Sequence, residues 1–138
     1  MREIKFRAWD VSEHEYKCIP NLLMNISGKL YWHFGLELHV VDPTTFVIEQ
    51  YTGLTDKTGK KIYEGDILTI KNTMMSSNDP FPGRRVVKWN EEKPEFSAAF
   101  IDGNCQTSGL MFVQNNTTQY YEIIGNIHEN KELLNDTE

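Results

Sequence analysis

Between Thr52 and Gly65 the sequence TGLTDKTGKKIYEG reverses the chain three times. Such dense punctuation leaves its neighbours room only for short extended segments. The predicted turns are Thr52-Gly53, Asp56 to Gly59, and Glu64-Gly65. In the second, an Asp-Lys-Thr-Gly tetrad places Gly59 where a positive φ is wanted. Ile62 and Tyr63 supply the apolar anchor before the last turn. Asp66 to Lys71 then alternates Ile67 and Thr69 against Leu68 and Ile70, the pattern of a strand.

The same spacing holds along the chain. Strands are predicted over Ile4–Trp9, Leu30–Phe34, Leu36–Val41, Phe46–Tyr51, Val86–Trp89, Phe96–Ile101, Leu110–Gln114 and Tyr120–Ile124. In the first, Ile4, Phe6 and Ala8 point one way and Lys5, Arg7 and Trp9 the other. Asp10 to Tyr16 reads as a polar turn, and Gly35 as a break, bulge or bend. Ile19 to Ser27 reads equally as a short helix or a strand. Residues 72–85 and 102–109 read as loops, and Asn115 to Gln119 as a polar hairpin. Gly125-Asn126 is a predicted turn, followed by a short terminal helix with Asn130 as N-cap and Leu133 and Leu134 inside it.

The expected fold is therefore mostly β with minor α. A mixed β/α part over residues 1–61 precedes a small five-stranded SH3-like barrel over 62–138, capped by the terminal helix. The two parts could equally form one compact unit. Hydrophobic residues at 39% are enough for a core. No run approaches the ~20 apolar residues of a membrane span. The charged, alternating start MREIKFRAWD is unlike a signal peptide, so a cytoplasmic location is expected. Cys18 and Cys105 form no CxxC unit and are expected to be buried thiols.

The net charge of -6 is uneven: 12 basic and 11 acidic residues up to Lys88, then 2 and 9 from Trp89 onward. That balance argues against a general nucleic-acid coat while leaving room for a local basic patch. Basic residues gather in three groups: Arg2, Lys5 and Arg7; Lys57, Lys60 and Lys61; Arg84, Arg85 and Lys88. Trp9, Tyr63 and Trp89 accompany them. Lysine or arginine beside an aromatic ring suits phosphate pairing with base stacking. The candidate binding surface is thus Lys5, Arg7, Trp9, Lys57, Lys60, Lys61, Tyr63, Arg84, Arg85, Lys88 and Trp89.

Asp56, Glu64 and Asp66 could hold a divalent ion or do acid–base work. Each also borders a turn glycine, where carboxylates serve backbone N–H groups. His33 and His39 fall in neighbouring strands and could approach each other, but no HxxxH or CxxC spacing marks a metal site. Gly53 and Gly59 lack the Lys-Ser ending of a phosphate loop, and no GxSxG elbow occurs. No catalytic residue, metal or cofactor is expected.

Four blocks, in order, resemble the YopX family of phage and prophage proteins. They are MREIKFRAWD, YTGLTDKTGKKIYEGDIL, VVKWNEE and YEIIGNIHENKELL. The resemblance implies a bacterial cytoplasmic setting, an N-terminal part of mixed structure, a C-terminal SH3-like barrel and homo-oligomeric assembly. It transfers no active site. The leading expectation is a non-enzymatic phage accessory protein that binds another macromolecule, a host or phage protein or its own copies. The alternatives are a nucleic-acid-binding or regulatory module and a metal-dependent hydrolase or nuclease.

Overall fold

The computed structural model describes residues 3–18, 20–70, 84–101, 107–109, 113–114, 116–118 and 120–135. The chain divides into two compact units. One is Arg7–Glu49; the other joins Met1–Phe6 to Gln50–Glu138. Both are built from strands, so the fold is mostly β.

In the first unit, β1 (Phe6–Asp10) pairs antiparallel with β2 (Glu15–Lys17) through Ala8↔Lys17, Trp9↔Tyr16 and Asp10↔Glu15. The carboxylate of Asp10 accepts from the Ser12 and Glu13 N–H groups and the Ser12 hydroxyl. The polar stretch 10–16 therefore yields a tight turn with a strand after it. A separate three-stranded sheet follows: β3 (Leu22–Met24), β4 (Leu30–Phe34) and β5 (Glu37–Val40), in that order. Among the described residues the first unit holds no helix, so the expected α contribution is corrected. Residues 22–24 are extended because β4 pairs with them. The turn into β4 is fixed by Asn25, whose Oδ1 accepts from Ser27 N, Ser27 Oγ and Lys29 N. Gly35, at φ 58, turns β4 into β5 rather than forming a bulge. The core of this unit is Ala8, Leu30, Val41 and Phe46, with Leu22, Trp32 and Ile48 against it.

β6 (Phe46–Thr55) leaves the first unit at Glu49 and continues in the second. It runs through Thr52-Gly53, which is a register irregularity and not a turn. Thr52 Oγ1 donates to the Ile62 carbonyl and accepts from Leu54 N–H, so the hydroxyl bridges the irregular ladder. Gly53 supplies the positive φ of 88°. β7 (Lys61–Tyr63) pairs with β6, and a two-residue turn at Glu64-Gly65 leads to β8 (Asp66–Ile70).

The meander continues through β9 (Arg85–Asn90), β10 (Glu95–Phe100) and β11 (Thr107–Gly109). Thr107 to Gly109 is thus paired to β10, although a loop was predicted there. β12 (Val113–Gln114) and β13 (Thr117–Thr118) form a small hairpin whose Thr117 lies parallel to Thr55 of β6. β14 (Tyr121–Asn126) returns to pair with β8, giving the order β11-β10-β9-β8-β14. Among the described residues this sheet is open. Gly125-Asn126, predicted as a turn, is paired with Ile67 and Asp66 inside β14, just after a bulge between Ile123 and Gly125. One 3₁₀ turn, Lys131–Leu134, follows; the Asn130 side chain accepts from Asn126 N–H instead of capping it. The predicted loop 72–85 lies outside the described residues except at its end, where Arg85 opens β9.

Ile67 and Leu68 are consecutive in β8 and both fully buried, so this strand is covered on both faces. Leu68 belongs to the core of Ile62, Val87, Ala98 and Tyr121, with Leu54 and Ile123 packed against it. Leu68→Ala is expected to lower unfolding free energy by about 2–5 kcal/mol, through lost burial and the cavity left behind. Ile26→Ala, at a fully exposed position of the turn before β4, is expected to change it by no more than about 0.5 kcal/mol. Urea denaturation of the two variants checks the contrast.

Candidate functional site

The basic positions do not form one patch. Lys5 and Lys61 meet at Glu3, with Nζ to carboxylate distances of 2.7 and 2.9 Å. Lys61 Nζ also stands 5.2 Å from the centre of the Tyr51 ring, and Tyr51 and Tyr63 lie 5.5 Å apart. The hydrogen bond from Lys5, helped by one from Lys61, holds Glu3 below the usual carboxylate range. Its bond to Glu3 raises Lys5 in turn. Burial, then the Glu3 charge, pushes the Tyr51 phenol up. Three predicted surface residues, exposed Lys5 and half-buried Lys61 and Tyr63, are thus joined in one cluster, but a carboxylate occupies its centre. A phosphate would have to displace it.

The others are dispersed. Arg7 Nε donates to Glu49 at 2.6 Å and its guanidinium lies 4.5 Å over the Tyr16 ring. Tyr16 donates its hydroxyl proton to the same Glu49 oxygen. Glu49 is nearly buried, so this is an internal charge pair and not a nucleic-acid contact. Trp9, expected on the surface, is buried with its ring edge-on to Tyr16. Lys57 pairs with Glu122 at 3.0 Å. Arg84 donates to the Asn135 carbonyl, and Arg85 is buried. Lys60, Lys88 and Trp89 are exposed, Trp89 resting edge-on against Phe96.

Backbone N–H groups engage the three candidate carboxylates, Asp56 in one turn and Glu64 and Asp66 on either side of Gly65 in the next. Asp56 Oδ1 accepts from Thr58 N–H, Thr58 hydroxyl and Lys60 N–H, while Oδ2 accepts from Ile123 N–H. Burial pushes its carboxyl up, but these four bonds outweigh burial and hold it below the ordinary value. Glu64 accepts from Gln50 N–H and Asp66 from Tyr63 N–H. Their oxygens are spent on folding, which removes the reading that they converge on a metal. His33 and His39 sit on opposite faces of β4–β5, since His33 faces Leu38 and His39 faces Trp32. Among the described residues no group of three or more potential ligands could hold a metal ion. Cys18, predicted buried, is exposed; Cys105 lies outside the described residues.

The surface the sequence did not reveal is one face of the β3–β4–β5 sheet. Cross-strand partners share a face. Leu23, Tyr31 and Val40 therefore form a row across all three strands, with His33 and Leu38 beside it. The opposite face carries Leu22, Leu30 and Trp32 into the core. On the outer face Leu23 is 45% exposed, and Leu38 and Val40 are each 59% exposed. Leu36, in the connecting turn, is fully exposed. Lys29 Nζ approaches the Tyr31 ring at 5.7 Å, bringing a charge to the margin. Clustered exposed aliphatic side chains are the mark of a contact surface. Alternation alone shows that a strand has two faces, not that both are apolar.

A family model described as YopX protein matches residues 5–135. The chain is 26% identical to protein EF1440 from Enterococcus faecalis, known from a crystal structure, with a TM-score of 0.59 over 98% of this chain and all of that one. It is also similar in fold to protein yopX from Bacillus subtilis, at 21% identity and a TM-score of 0.52, again over 98% and 100%. A search of curated proteins gave no match.

Asp56→Asn is expected to cost about 1–3 kcal/mol, because an amide N–H would face the Ile123 N–H that Oδ2 now accepts. The depressed carboxyl also sets a pH signature. Asp56 contributes its stability fully above the unfolded carboxyl value, about pH 4, and loses it as pH falls through the lower folded value. Urea unfolding should therefore show wild type losing its advantage over the variant below about pH 4.

Proposed function

The chain belongs to the YopX family, and on that premise we propose that it is a non-enzymatic phage or prophage accessory module whose β3–β5 sheet binds another protein. One observation carries this reading: the exposed apolar row of Leu23, Leu38 and Val40 on a sheet whose other face already sends Leu22, Leu30 and Trp32 to the core. Burial of such a row against a partner removes apolar area from water, the main drive of protein association. The lysine cluster offers less, because Glu3 already pairs both ammonium groups.

The second unit serves as the stable body of the module. Its strand order, in which β14 returns to β8 at the start of the meander, supports an SH3-like barrel. We place its action in the bacterial cytoplasm. Among the described residues no helix is long and apolar enough to cross a membrane.

The test is affinity capture from lysate of the bacterial host with the full chain and a Leu23→Lys/Val40→Lys variant. The variant is expected to keep the wild-type melting temperature within about 2–4 °C, since both positions are exposed. It is also expected to lose a protein that the wild type retains. Equal capture by both chains would overturn the assignment of binding to this face.

A further inference from the structure

Among the described residues β5 is an edge strand, and its four residues are all exposed. Its pairing with β4 fixes which backbone groups are free. Val41 N–H donates to the Leu30 carbonyl at 3.0 Å, so these two form a hydrogen-bonded pair. Antiparallel ladders alternate hydrogen-bonded with non-hydrogen-bonded pairs. Trp32 with His39 is therefore of the first kind, while Tyr31 with Val40 and His33 with Leu38 are of the second. The N–H and C=O groups of Leu38 and Val40 consequently point away from β4, along the open edge. Strand edges are normally blunted by lysine, proline or a bulge. The sequence Glu37-Leu38-His39-Val40 has neither residue, and its register with β4 is regular.

We propose that this edge pairs with β5 of a second copy, antiparallel, about a two-fold axis at Leu38. The proposal rests on the binding role assigned to this sheet and names the partner as the chain itself. An antiparallel partner for Glu-Leu-His must offer a base, an apolar residue and an acid in opposing order. The same strand read backwards does so.

In this register Leu38 faces its symmetry mate with both outward backbone groups bonded. Leu36 faces Val40 of the second copy, and Glu37 faces His39 in both directions. The Glu37 and His39 positions form non-hydrogen-bonded pairs, where side chains approach more closely. Within one chain His39 Nε2 and Glu37 Oε2 are already 3.2 Å apart on the same face. The dimer thus gathers two acids and two bases in one group. Moving the axis to Glu37 sets acid against acid, and moving it to His39 sets base against base. Centring it between Leu38 and His39 puts the apolar row of one copy on the core-facing side of the other. Axes at Glu37, Leu38 and His39 all keep the Leu23, Tyr31, Leu38 and Val40 face continuous across six strands, and of these the Leu38 axis sets acid against base.

Sedimentation equilibrium of the full chain tests this. Wild type is expected at twice the 16.1 kDa chain mass. Leu38→Pro removes an outward N–H that β4 does not use and is expected to sediment as a monomer. Glu37→Lys is expected to weaken the dimer about tenfold, since each His39 ring loses a carboxylate across the two-fold and meets an ammonium group instead. Adding His39→Glu exchanges the charges and is expected to restore it to within about threefold. A monomeric wild type, an unaffected Leu38→Pro dimer, or no restoration by E37K/H39E would each overturn the proposal. A monomer that still loses its captured protein on Leu23→Lys/Val40→Lys substitution overturns self-pairing alone. A dimer whose captured proteins are indifferent to those substitutions overturns only capture of other proteins through that face.

Discussion

The buried carboxylate of Asp56 fastens the second unit together. A charged oxygen out of water is tolerated only when hydrogen bonds replace its hydration. Here Thr58 and Lys60 satisfy Oδ1 from within the turn, and Ile123 satisfies Oδ2 from β14, 67 positions away. The neighbouring Lys57 N–H donates to the Tyr121 carbonyl of the same strand, and Lys57 and Glu122 add an ion pair. The turn is thus a clamp on β14, the strand that closes the chain's path back to β8. Gly65 continues the line of support: its N–H donates to Val87 O and its carbonyl accepts from Ile127 N–H. Two turns that look like local punctuation hold together strands far apart in sequence.

The local part of this design was legible in the sequence. Asp56 to Gly59 and Glu64-Gly65 are turns because only glycine accepts the positive φ each requires, 90° at Gly59 and 79° at Gly65. The strands 30–34 and 66–70 follow from period-two alternation. Where long-range pairing decides, local signals misled. Thr52-Gly53 has turn chemistry, yet the ladder with β7 carries β6 through it as an irregularity. Leu22–Met24 was undecided between helix and strand until β4 supplied a partner. The expected alternation of β1 failed because Ala8 and Trp9 are both buried, whereas Ile4 and Phe6 are exposed.

The candidate surface was less legible, for a related reason. Sequence proximity of charge and aromatic residues says nothing about what each side chain meets. Arg7 meets Glu49 and Lys57 meets Glu122, so charges that looked available are paired inside the chain. Lys5 and Lys61, 56 residues apart by number, were assigned to different groups and stand at one carboxylate. The apolar face of β3–β5 escaped notice because the stretch holding Leu23 reads equally as helix or strand, and a strand through Leu38 and Val40 does not say which of its faces is covered. Whether an aliphatic side chain is core depends on what lies over it, and that is not encoded in periodicity.

The two units therefore spend their side chains differently. In the second, polar groups such as Asp56, Thr52 and Asp66 turn inward to satisfy backbone N–H and C=O groups at irregular turns. That use fixes their positions and leaves few of them for chemistry. In the first, the three-stranded sheet uses one face for its core and leaves the other apolar and exposed. A three-stranded sheet is near the lower limit of independent stability, so keeping its second face apolar forgoes the solubility that polar side chains would bring there. Such a face is retained at that cost only if burying it is useful. The proposal of association through this face rests on that contrast between its two sides.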